Sequence, residues 1–301
     1  MPKIGGHIMD FNEKLREYRK QFGLSQGKLA ETLNVSRQAI TKWESGNGMP
    51  DISNLKALSA VFNISVDELL SEEAVKLRYP YESIVEYDID EIKHFDIKLG
   101  SVNHVKMRAG EGEKIKVQLV SDTIENLTEL VKVKIDDIKR RIDVDVNRSK
   151  SLSEELVKEH LSIFINLPEK YMGDTELTTH CEKLELFDII SEKFELDGEA
   201  KEIYIAGGNS HIELDNNSPM EIYVADYTGR IDVNQISAKS RLHVPHEYAF
   251  KAVKKGIRTK LLFEDCGNLV DDFSVAESEN HIEINGINSE LTIVKLSNYL
   301  P

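Results

Sequence analysis

Apolar residues in the first seventy positions recur at intervals of three and four, which is the period of an α-helix. This pattern predicts five short helices, the first of which runs from about Asp10 to Phe22. Ser25 and Ser36 stand where an N-cap is expected before the second and third helices. Ser65 and Glu68 have the spacing of a capping box before the fifth. We therefore expect the chain to begin with a small helical unit.

Helix ends and inward faces can also be predicted in this segment. Gly23 and Gly46 are expected to end the first and third helices, because glycine tolerates the backbone at a helix C-terminus. Asn34, which accepts a left-handed backbone, stands between the second and third helices and predicts a tight turn. Ile40 and Trp43 are three residues apart, so we expect both side chains to face the core.

From about residue 94 the period changes to two, which is typical of half-buried strands. The segments "FDIKLG", "VNHVKMRAG", "KIKVQLVS", "VKVKID" and "RRIDVDVN" all alternate in this way, whereas "SLSEELVKEH" predicts one helical insertion. Residues 71–92 contain Pro80, which blocks continuation of a helix, and we interpret them as a linker. The predicted organisation is a loose tail at 1–8, a helical domain at 9–70, the linker, and a β domain at 93–301.

Two series of apolar pairs repeat beyond Cys181, and they share one period. The pairs of the first series follow one another at 19, 19 and 20 residues: Leu184/Leu186, Ile203/Ile205, Ile222/Val224 and Leu242/Val244. Those of the second series lie between them: Phe194/Leu196, Ile212/Leu214 and Ile231/Val233. An antiparallel sandwich or a solenoid of stacked coils would both give regular strands. The shared period favours an all-β, solenoid-like (β-helix) domain.

Composition places these elements in an ordinary globular chain of 301 residues, with 40% hydrophobic and 30% charged residues. No apolar run approaches the roughly 20 residues that a membrane-spanning helix needs. The N-terminus lacks the apolar stretch of a secretion signal. Cys181 and Cys266 are far apart in sequence and suit a reducing compartment. We predict a cytoplasmic protein that does not associate with membranes.

The charge is divided unevenly between the two predicted domains. Residues 1–70 contain nine Lys and Arg against eight Asp and Glu, a net charge of +1. The remaining residues contain 29 against 45, a net charge of −16. The charge of the whole chain would argue against a nucleic-acid partner, but the charge of the first segment does not.

The stretch "LSQGKLAETLNVSRQAITKWESGNGMPDISNLKALSAVFNISVDELL" resembles the helix-turn-helix of the lambda-repressor-like, xenobiotic-response-element (Cro-type) regulator family. The resemblance covers residues 10–70 and includes small Ala30, the inward pair Ile40 and Trp43, and the closing "DELL". Two positions depart from the family, because Gly27 and Lys28 stand where it tends to have acidic residues. Glycine weakens the second helix, and Lys28 opposes its dipole unless a phosphate binds it.

The resemblance implies that the third helix lies in the DNA major groove with its first residues against base edges. Arg can bind guanine, Gln adenine, and Thr a thymine methyl group, which are contacts that identify bases. Gln26 and Lys28 in the second helix are expected at the phosphate backbone. The predicted DNA-binding residues are Gln26, Lys28, Ser36, Arg37, Gln38, Thr41, Lys42 and Ser45.

The β domain offers weaker signals. Residues 160–296, including "INLPEKYMGDTELTT", resemble an adhesin-type β-strand-repeat domain of unknown function, which implies a fold but no activity. His243 and His246 have an HxxH spacing, but the intervening proline argues against a ligand-bearing helix. Asp215, Asn216 and Asn217 are expected to form a polar turn rather than a calcium site. We find no catalytic motif and predict no cofactor, no metal and no enzyme.

The sequence thus predicts a bacterial, sequence-specific transcriptional regulator, and we expect it to be a repressor. It would be associated with the nucleoid when bound to double-stranded operator DNA. A palindromic operator and a homodimer are expected, with the β domain dimerising, sensing an effector or binding another protein. Two alternatives stay open. One is a β-helix enzyme or carbohydrate-binding module with an autoregulatory DNA reader, which a cleft of aromatics and paired carboxylates would support. The other is an antitoxin.

Overall fold

The computed structural model describes residues 11–22, 24–45, 48–62, 69 and 79–296. The chain divides into two compact units, residues 1–79 and residues 80–301. We call them the helical unit and the β unit. Across the described ranges, every helix is too short or too polar to cross a lipid bilayer.

The helical unit contains four helices in its described part. They are α1 (Phe11–Gln21), α2 (Gln26–Thr32), α3 (Arg37–Glu44) and α4 (Ile52–Val61). The predicted tail at 1–8, the helix ends at Gly23 and Gly46, and nearly all of the predicted fifth helix lie outside the described residues.

The local signals around α2 and α3 are confirmed. The Oγ atoms of Ser25 and Ser36 each accept a hydrogen bond from a backbone N–H three residues later, at 3.1 Å in both cases. Each bond satisfies a donor that the helix itself leaves without a partner. Asn34 has a φ of 54°, in the left-handed region, as the turn between the two helices requires.

The core of the helical unit is formed by the apolar faces of all four helices. Ile40 is fully buried and Trp43 is nearly so, which confirms that both face inward. The ring of Phe62 packs against those of Tyr18 and Phe22, with centroid distances of 5.7 and 5.4 Å. Burial of this apolar surface is the main contribution to the stability of such a small unit.

The β unit contains strands β1–β17 in its described part, with two helices between them and one 3-10 turn at Glu169–Tyr171. The helices are α5 (Leu127–Leu130) and α6 (Glu154–His160), and α6 confirms the predicted insertion. The first strands are β1 (Tyr81–Asp88), β2 (Lys93–Gly110), β3 (Lys114–Ser121), β4 (Val131–Ile138), β5 (Arg141–Arg148), β6 (Leu161–Pro168), β7 (Met172–Phe187) and β8 (Ile190–Ala206). The others are β9 (Asn209–Asp215), β10 (Glu221–Ala225), β11 (Thr228–Ile236), β12 (Lys239–Val244), β13 (Lys251–Ile257), β14 (Lys260–Asp265), β15 (Asn268–Val270), β16 (His281–Ile287) and β17 (Glu290–Lys295).

These strands form two rows of pairings. The second halves of the long strands β2, β7 and β8 belong to the first row, in the order β1-β3-β6-β2-β7-β8-β10-β12-β17-β14-β15. Their first halves belong to the second row, in the order β4-β5-β2-β7-β8-β9-β11-β16-β13. We call them the first and second sheets, and their apolar residues form one buried cluster.

The predicted repeat is confirmed as an in-register stack. In the first sheet Leu184 pairs with Ile203, Ile203 with Ile222, and Ile222 with Leu242. In the second sheet Phe194 pairs with Ile212, and Ile212 with Ile231. All these pairings are parallel, so the antiparallel alternative is wrong for the repeat. Antiparallel pairs occur where β1, β3, β4 and β15 lie near the two ends of the sheets.

One feature of the β unit differs from the sequence prediction, and a second was not predicted. The predicted linker at 71–92 contains β1, which pairs along its whole length with β3. Its apolar residues do not alternate cleanly because β1 is an edge strand with one neighbour, and little of it is buried. The last two strands, β16 and β17, insert between earlier ones: β16 lies between β11 and β13, and β17 between β12 and β14. A period in the sequence cannot show that order.

Candidate nucleic-acid interface

Helices α2 and α3 form the candidate interface, and their relative position follows from local packing. Ala30, on α2, is buried, and its small side chain allows α3 to approach closely. The N–H of Val35 donates to the Ala30 carbonyl at 2.9 Å, which closes the turn. The turn and both caps therefore fix where the first residues of α3 begin.

The outer face of α3 is lined with polar side chains. Ser36, Arg37, Gln38, Thr41 and Lys42 are all exposed. In the part of the chain that the structure describes, the side chains of Arg37, Gln38 and Lys42 have no hydrogen-bond or ion-pair partner. Arg37 and Thr41 are four residues apart, so they lie one above the other on the same face. Hydrogen-bonding groups are thus presented to the outside over two turns of the helix.

Gln26 joins this face through hydrogen bonds across the helix-turn-helix. Its amide Nε2 donates to Glu44 Oε2 at 2.9 Å, and its Oε1 accepts from Thr41 Oγ1 at 3.2 Å. One amide hydrogen of Gln26 is left over once the bond to Glu44 is made, because the side chain has two. The rotamer of Gln26 is held by both contacts, so that hydrogen points in a defined direction.

Glu44 is the residue that sequence reasoning missed. It is 3% exposed, and its carboxylate accepts from Arg19 Nε at 2.6 Å and from Arg19 Nη2 at 3.2 Å. A third Arg19 nitrogen, Nη1, donates to the Leu24 carbonyl at 2.7 Å. Glu44 follows Ile40 by four residues, so helical spacing could have placed it on the buried face. The ion pair connects α1, α3 and, through Gln26, α2.

The other predicted residues lie nearby but make local contacts. Lys28 is exposed, and its Nζ lies 3.2 Å from Glu31 Oε2. An exposed ion pair of this kind contributes only about 0–1 kcal/mol, so Lys28 can change partner at little cost. Ser45 Oγ donates to the Lys42 carbonyl at 3.2 Å. The structure thus brings the eight predicted residues onto or beside α2 and α3.

The histidines and asparagines singled out in the β unit have structural roles. His243 Nε2 lies 2.6 Å from Glu221, and its ring stacks on Tyr223 at 4.5 Å, whereas His246 contacts Glu247. Asn216 is buried and donates to the Ala200 carbonyl at 3.1 Å. Asn217 accepts from the Ile236 N–H at 2.8 Å. The hydrogen bonds of these two asparagines connect successive coils, as expected for a polar turn.

Two groups of side chains on the second sheet have metal-like spacing, and both share Glu213. They are His211, Glu213 and Asp232, and Glu195, Glu213 and Asp215. Lys193 Nζ lies 2.7 Å from Glu195 and 2.9 Å from Glu213, and Arg230 Nε lies 2.7 Å from Asp232. Burial raises the pKa of Asp232, but hydrogen bonds from Arg230 and His211 outweigh burial and lower it. Glu195, Glu213 and Asp232 are therefore already paired with protein cations, whereas Asp215 accepts a hydrogen bond from the Asn234 amide.

Two open depressions lie along the second sheet, and the second of them includes Lys193 and Glu195 in its wall. The first, of about 430 Å³, is lined by His94, Ile138, Arg140 and Arg141, and has neither aromatic rings nor carboxylates. The second, of about 280 Å³, has both carboxylates and cations in its wall. Its one aromatic ring, Phe95, is 1% exposed and offers no face to a sugar. Neither depression has the features that would favour the carbohydrate alternative.

Known proteins resemble the two units separately. A family model described as helix-turn-helix matches residues 15–69. The HTH-type transcriptional activator BcrR of Enterococcus faecalis is 54% identical over 65 residues, which cover 22% of this chain and 32% of that protein. The chain thus spans about a third of the length of BcrR. Over the β unit, a cell-adhesion-type protein from Clostridium sporogenes aligns at 16% identity and a TM-score of 0.36, covering 72% of this chain and 99% of that one.

The length of a second regulator is matched more fully. The cryptic phage CTXphi transcriptional repressor RstR of Vibrio cholerae is 30% identical over 98 residues, which cover 31% of this chain and 88% of that repressor. The similarity therefore covers most of the length of a known regulator. The chain belongs to the Cro/C1-type helix-turn-helix family of transcriptional regulators.

Proposed function

We propose that the protein is a cytoplasmic, sequence-specific DNA-binding repressor that reads its operator with α3 in the major groove. The observation that carries the proposal is the outer face of α3, where Arg37, Gln38 and Lys42 are exposed and without protein partners in the described part of the chain. Side chains on a helix whose backbone is held by caps and a turn, but which are not paired within the protein, are suited to a ligand. The relatives BcrR and RstR, an activator and a repressor of transcription by name, support DNA as that ligand.

Each side chain has a role that follows from its chemistry. Arg37 would donate two hydrogen bonds to guanine O6 and N7, and Gln38 would pair with adenine N6 and N7. Lys42, Lys28, Ser36 and Ser45 would contact phosphates, which position the helix without identifying bases. Thr41 has its hydroxyl bonded to Gln26 and the Arg37 carbonyl, so its methyl group would meet a thymine.

The buried ion pair supports this reading through its position. Base contacts require side chains held to within about half an ångström, which a rigid supporting network provides. Arg19 and Glu44 connect the C-terminal end of α3 to α1, and Gln26 extends the network to α2. None of these three groups would need to move when DNA binds, which keeps the entropic cost of binding low.

Dimerisation completes the proposal. The first seventy residues have a net charge of only +1, so the helical unit gains little from attraction to phosphates. A single copy would therefore bind DNA weakly at physiological salt. Two copies on a palindromic operator would gain the effective concentration of linked sites. We assign the linking role to the β unit, whose parallel, in-register strands support a stiff solenoid of stacked coils. In this proposal the β unit has no catalytic role.

The test is a gel-shift titration of Arg37→Ala on the operator and on operators changed at one base pair. We expect a loss of about 1–3 kcal/mol in binding and relaxed preference at one position. Lys56→Ala is the matched control, because it removes one exposed charge from α4 and leaves α3 intact. Equal effects of the two variants at every sequence would contradict the assigned base contact.

A further inference from the structure

The β unit ends in a surface that we call the terminal face, residues 251–260 and 265–279. In the described part of the chain, β13 pairs only with β16, and β15 pairs only with β14. Each therefore presents backbone groups on its outer side. Such edges are normally protected, because they invite pairing with another chain.

The terminal face has two strips of opposite charge. Residues 251–260, the basic strip, contain five Lys and Arg and no acidic residue. Residues 265–279, the acidic strip, contain five Asp and Glu and no Lys or Arg. Six of these ten side chains have neither an ion-pair nor a side-chain hydrogen-bond partner among the described residues; they are Lys251, Lys254, Arg258, Asp271, Glu277 and Glu279. Elsewhere on the second sheet, by contrast, Lys193 and Arg230 each lie close to a carboxylate of a neighbouring strand, Glu213 and Glu283.

The terminal face is built to stop the stack of coils. Lys254 occupies a core-facing register position opposite buried Ile284, yet it is exposed. An inward-pointing charge prevents a further coil from stacking there. Phe273 closes the core, with its ring 5.9 Å from that of Phe250 and 5.1 Å from that of Phe263. The terminal face therefore covers the end of the apolar core and disfavours the addition of another strand.

Apolar side chains nevertheless lie between and beside the charges. Leu269 is 68% exposed, Ile257 is 66% exposed, and Val270 and Val275 are 42% and 40% exposed. A polar rim around exposed apolar residues is the usual anatomy of a protein–protein interface. Which partner it fits is decided by the arrangement of the charges.

The arrangement is self-complementary. The basic strip follows the edge of the second sheet, and the acidic strip begins at the edge of the first. A two-fold axis that lies in the terminal face, parallel to the boundary between the strips, places each basic strip against the acidic strip of the other copy. We infer that the terminal face binds a second copy of this chain, with the basic strip of each copy on the acidic strip of the other.

This inference rests on the proposed dimeric regulator and names its interface. A seven-residue strand is about 23 Å long, and packed sheets lie about 10 Å apart. With side chains the face covers on the order of 500 Å² per copy, near the low end of specific interfaces. We therefore expect a moderate, salt-sensitive dimer that a palindromic operator strengthens.

Charge reversal in the full-length protein tests the inference. One variant carries Lys251→Glu, Lys254→Glu and Arg258→Glu, and a second carries Asp271→Lys, Glu277→Lys and Glu279→Lys. Sedimentation equilibrium should show that each variant self-associates at least about tenfold more weakly than the wild type, because like charges then face each other. An equimolar mixture should restore dimers, because the first variant has two acidic strips and the second two basic ones.

The matched control is Lys114→Glu, Lys132→Glu and Lys134→Glu, three exposed residues on strands at the other end of the β unit. It changes the net charge as much as the first variant and should leave the dimer unchanged. Thermal melts of all variants show that the fold is retained.

The outcomes separate the inference from the function it rests on. If the wild type dimerises and both reversed variants do so equally well, or if the mixture fails to form dimers, the inference is wrong and the proposed regulator stands. A wild type that is monomeric and binds its operator one to one overturns the dimer altogether. Arg37→Ala on the operator tests base reading independently of either result.

Discussion

Both units bury a carboxylate against basic side chains, and Glu44 and Glu185 differ in what the surrounding charges do. Glu44 in the helical unit is bonded to Arg19, and Glu185 in the β unit is bonded to His104 at 2.8 Å and Lys183 at 2.7 Å. Around Glu44 the exposed cations of α3 lack partners in the described part of the chain. Around Glu185, Lys183 of the same strand and His104 of β2 contact the carboxylate itself. Charge is thus left exposed around Glu44 and paired within the fold around Glu185.

The largest effect is expected from Glu44→Ala. Removal of the carboxylate leaves the Arg19 guanidinium buried without its ionic partner, which costs about 3–5 kcal/mol of unfolding free energy. Thermal and urea unfolding measure this loss for the helical unit. Glu31→Ala, which removes an exposed partner of Lys28, should cost less than about 1 kcal/mol. If the two variants were equally stable, Glu44 would contribute less to the stability of the helical unit than its burial implies.

Glu44 also shows where reading of the sequence stopped. Caps, the Asn34 turn and the inward pair Ile40 and Trp43 were predictable because each depends on residues a few positions apart. Helical spacing from Ile40 could have placed Glu44 on the buried face, but its partner Arg19 is 25 residues away, and no local pattern identifies that pairing. The DNA-contact residues Arg37 and Gln38 came from the motif, and their contacts with bases stay a prediction.

The β unit divides in the same way. The in-register pairing of parallel strands was predictable because apolar pairs recur every 18 to 20 residues, so strands that are neighbours in the repeat are neighbours in the sheet. Strand β1 and the order of β16 and β17 were not, because they depend on pairings that no period encodes. β1 pairs residues 81–88 with residues 114–121, and β17 separates β12 from β14. The strand order at the ends of the repeat therefore depends on long-range pairings rather than on the period of the sequence.

A smaller but still large effect is expected from Gly198→Ala, which tests how closely the coils stack. Gly198 has a φ of 144°, and an added Cβ would overlap the carbonyl of Thr179 on the preceding coil. We expect a loss of about 3 kcal/mol from strain and clash together. Urea unfolding of the β unit measures this loss. Gly112→Ala supplies the control, because Gly112 has a φ of 115° and no atom near the added Cβ.

The two glycine variants separate strain from packing. Gly112→Ala should cost about 1 kcal/mol from backbone strain alone. A Gly198 variant that unfolded at the same urea concentration as the Gly112 variant would show that the coils can move apart at that point.

The smallest effect concerns pH and the buried carboxylate of Glu185. Burial alone would raise the pKa of Glu185, but the hydrogen bond and charge of His104, with Lys183 and Lys106, hold it well below its usual range. The facing groups are His104 and Lys106 on β2, Lys183 on β7 itself and Tyr204 on β8. A depressed pKa stabilises the fold above the unfolded value, about 4.3, and that stabilisation is lost as the pH falls.

Glu185→Gln tests this dependence directly. As the pH is lowered below about 5, the unfolding free energy of the wild-type β unit should fall more steeply than that of Glu185→Gln, because glutamine has no proton to gain. Urea unfolding at a series of pH values measures both slopes. Glu182 lies on the same strand as Glu185 and is an exposed ion-pair partner of Lys201. The variant Glu182→Gln should therefore keep nearly the wild-type slope. Parallel slopes for the wild type and Glu185→Gln would mean that the charge of Glu185 is not stabilised by its neighbours, and the contrast with Glu44 would then be reduced to the exposed cations of α3.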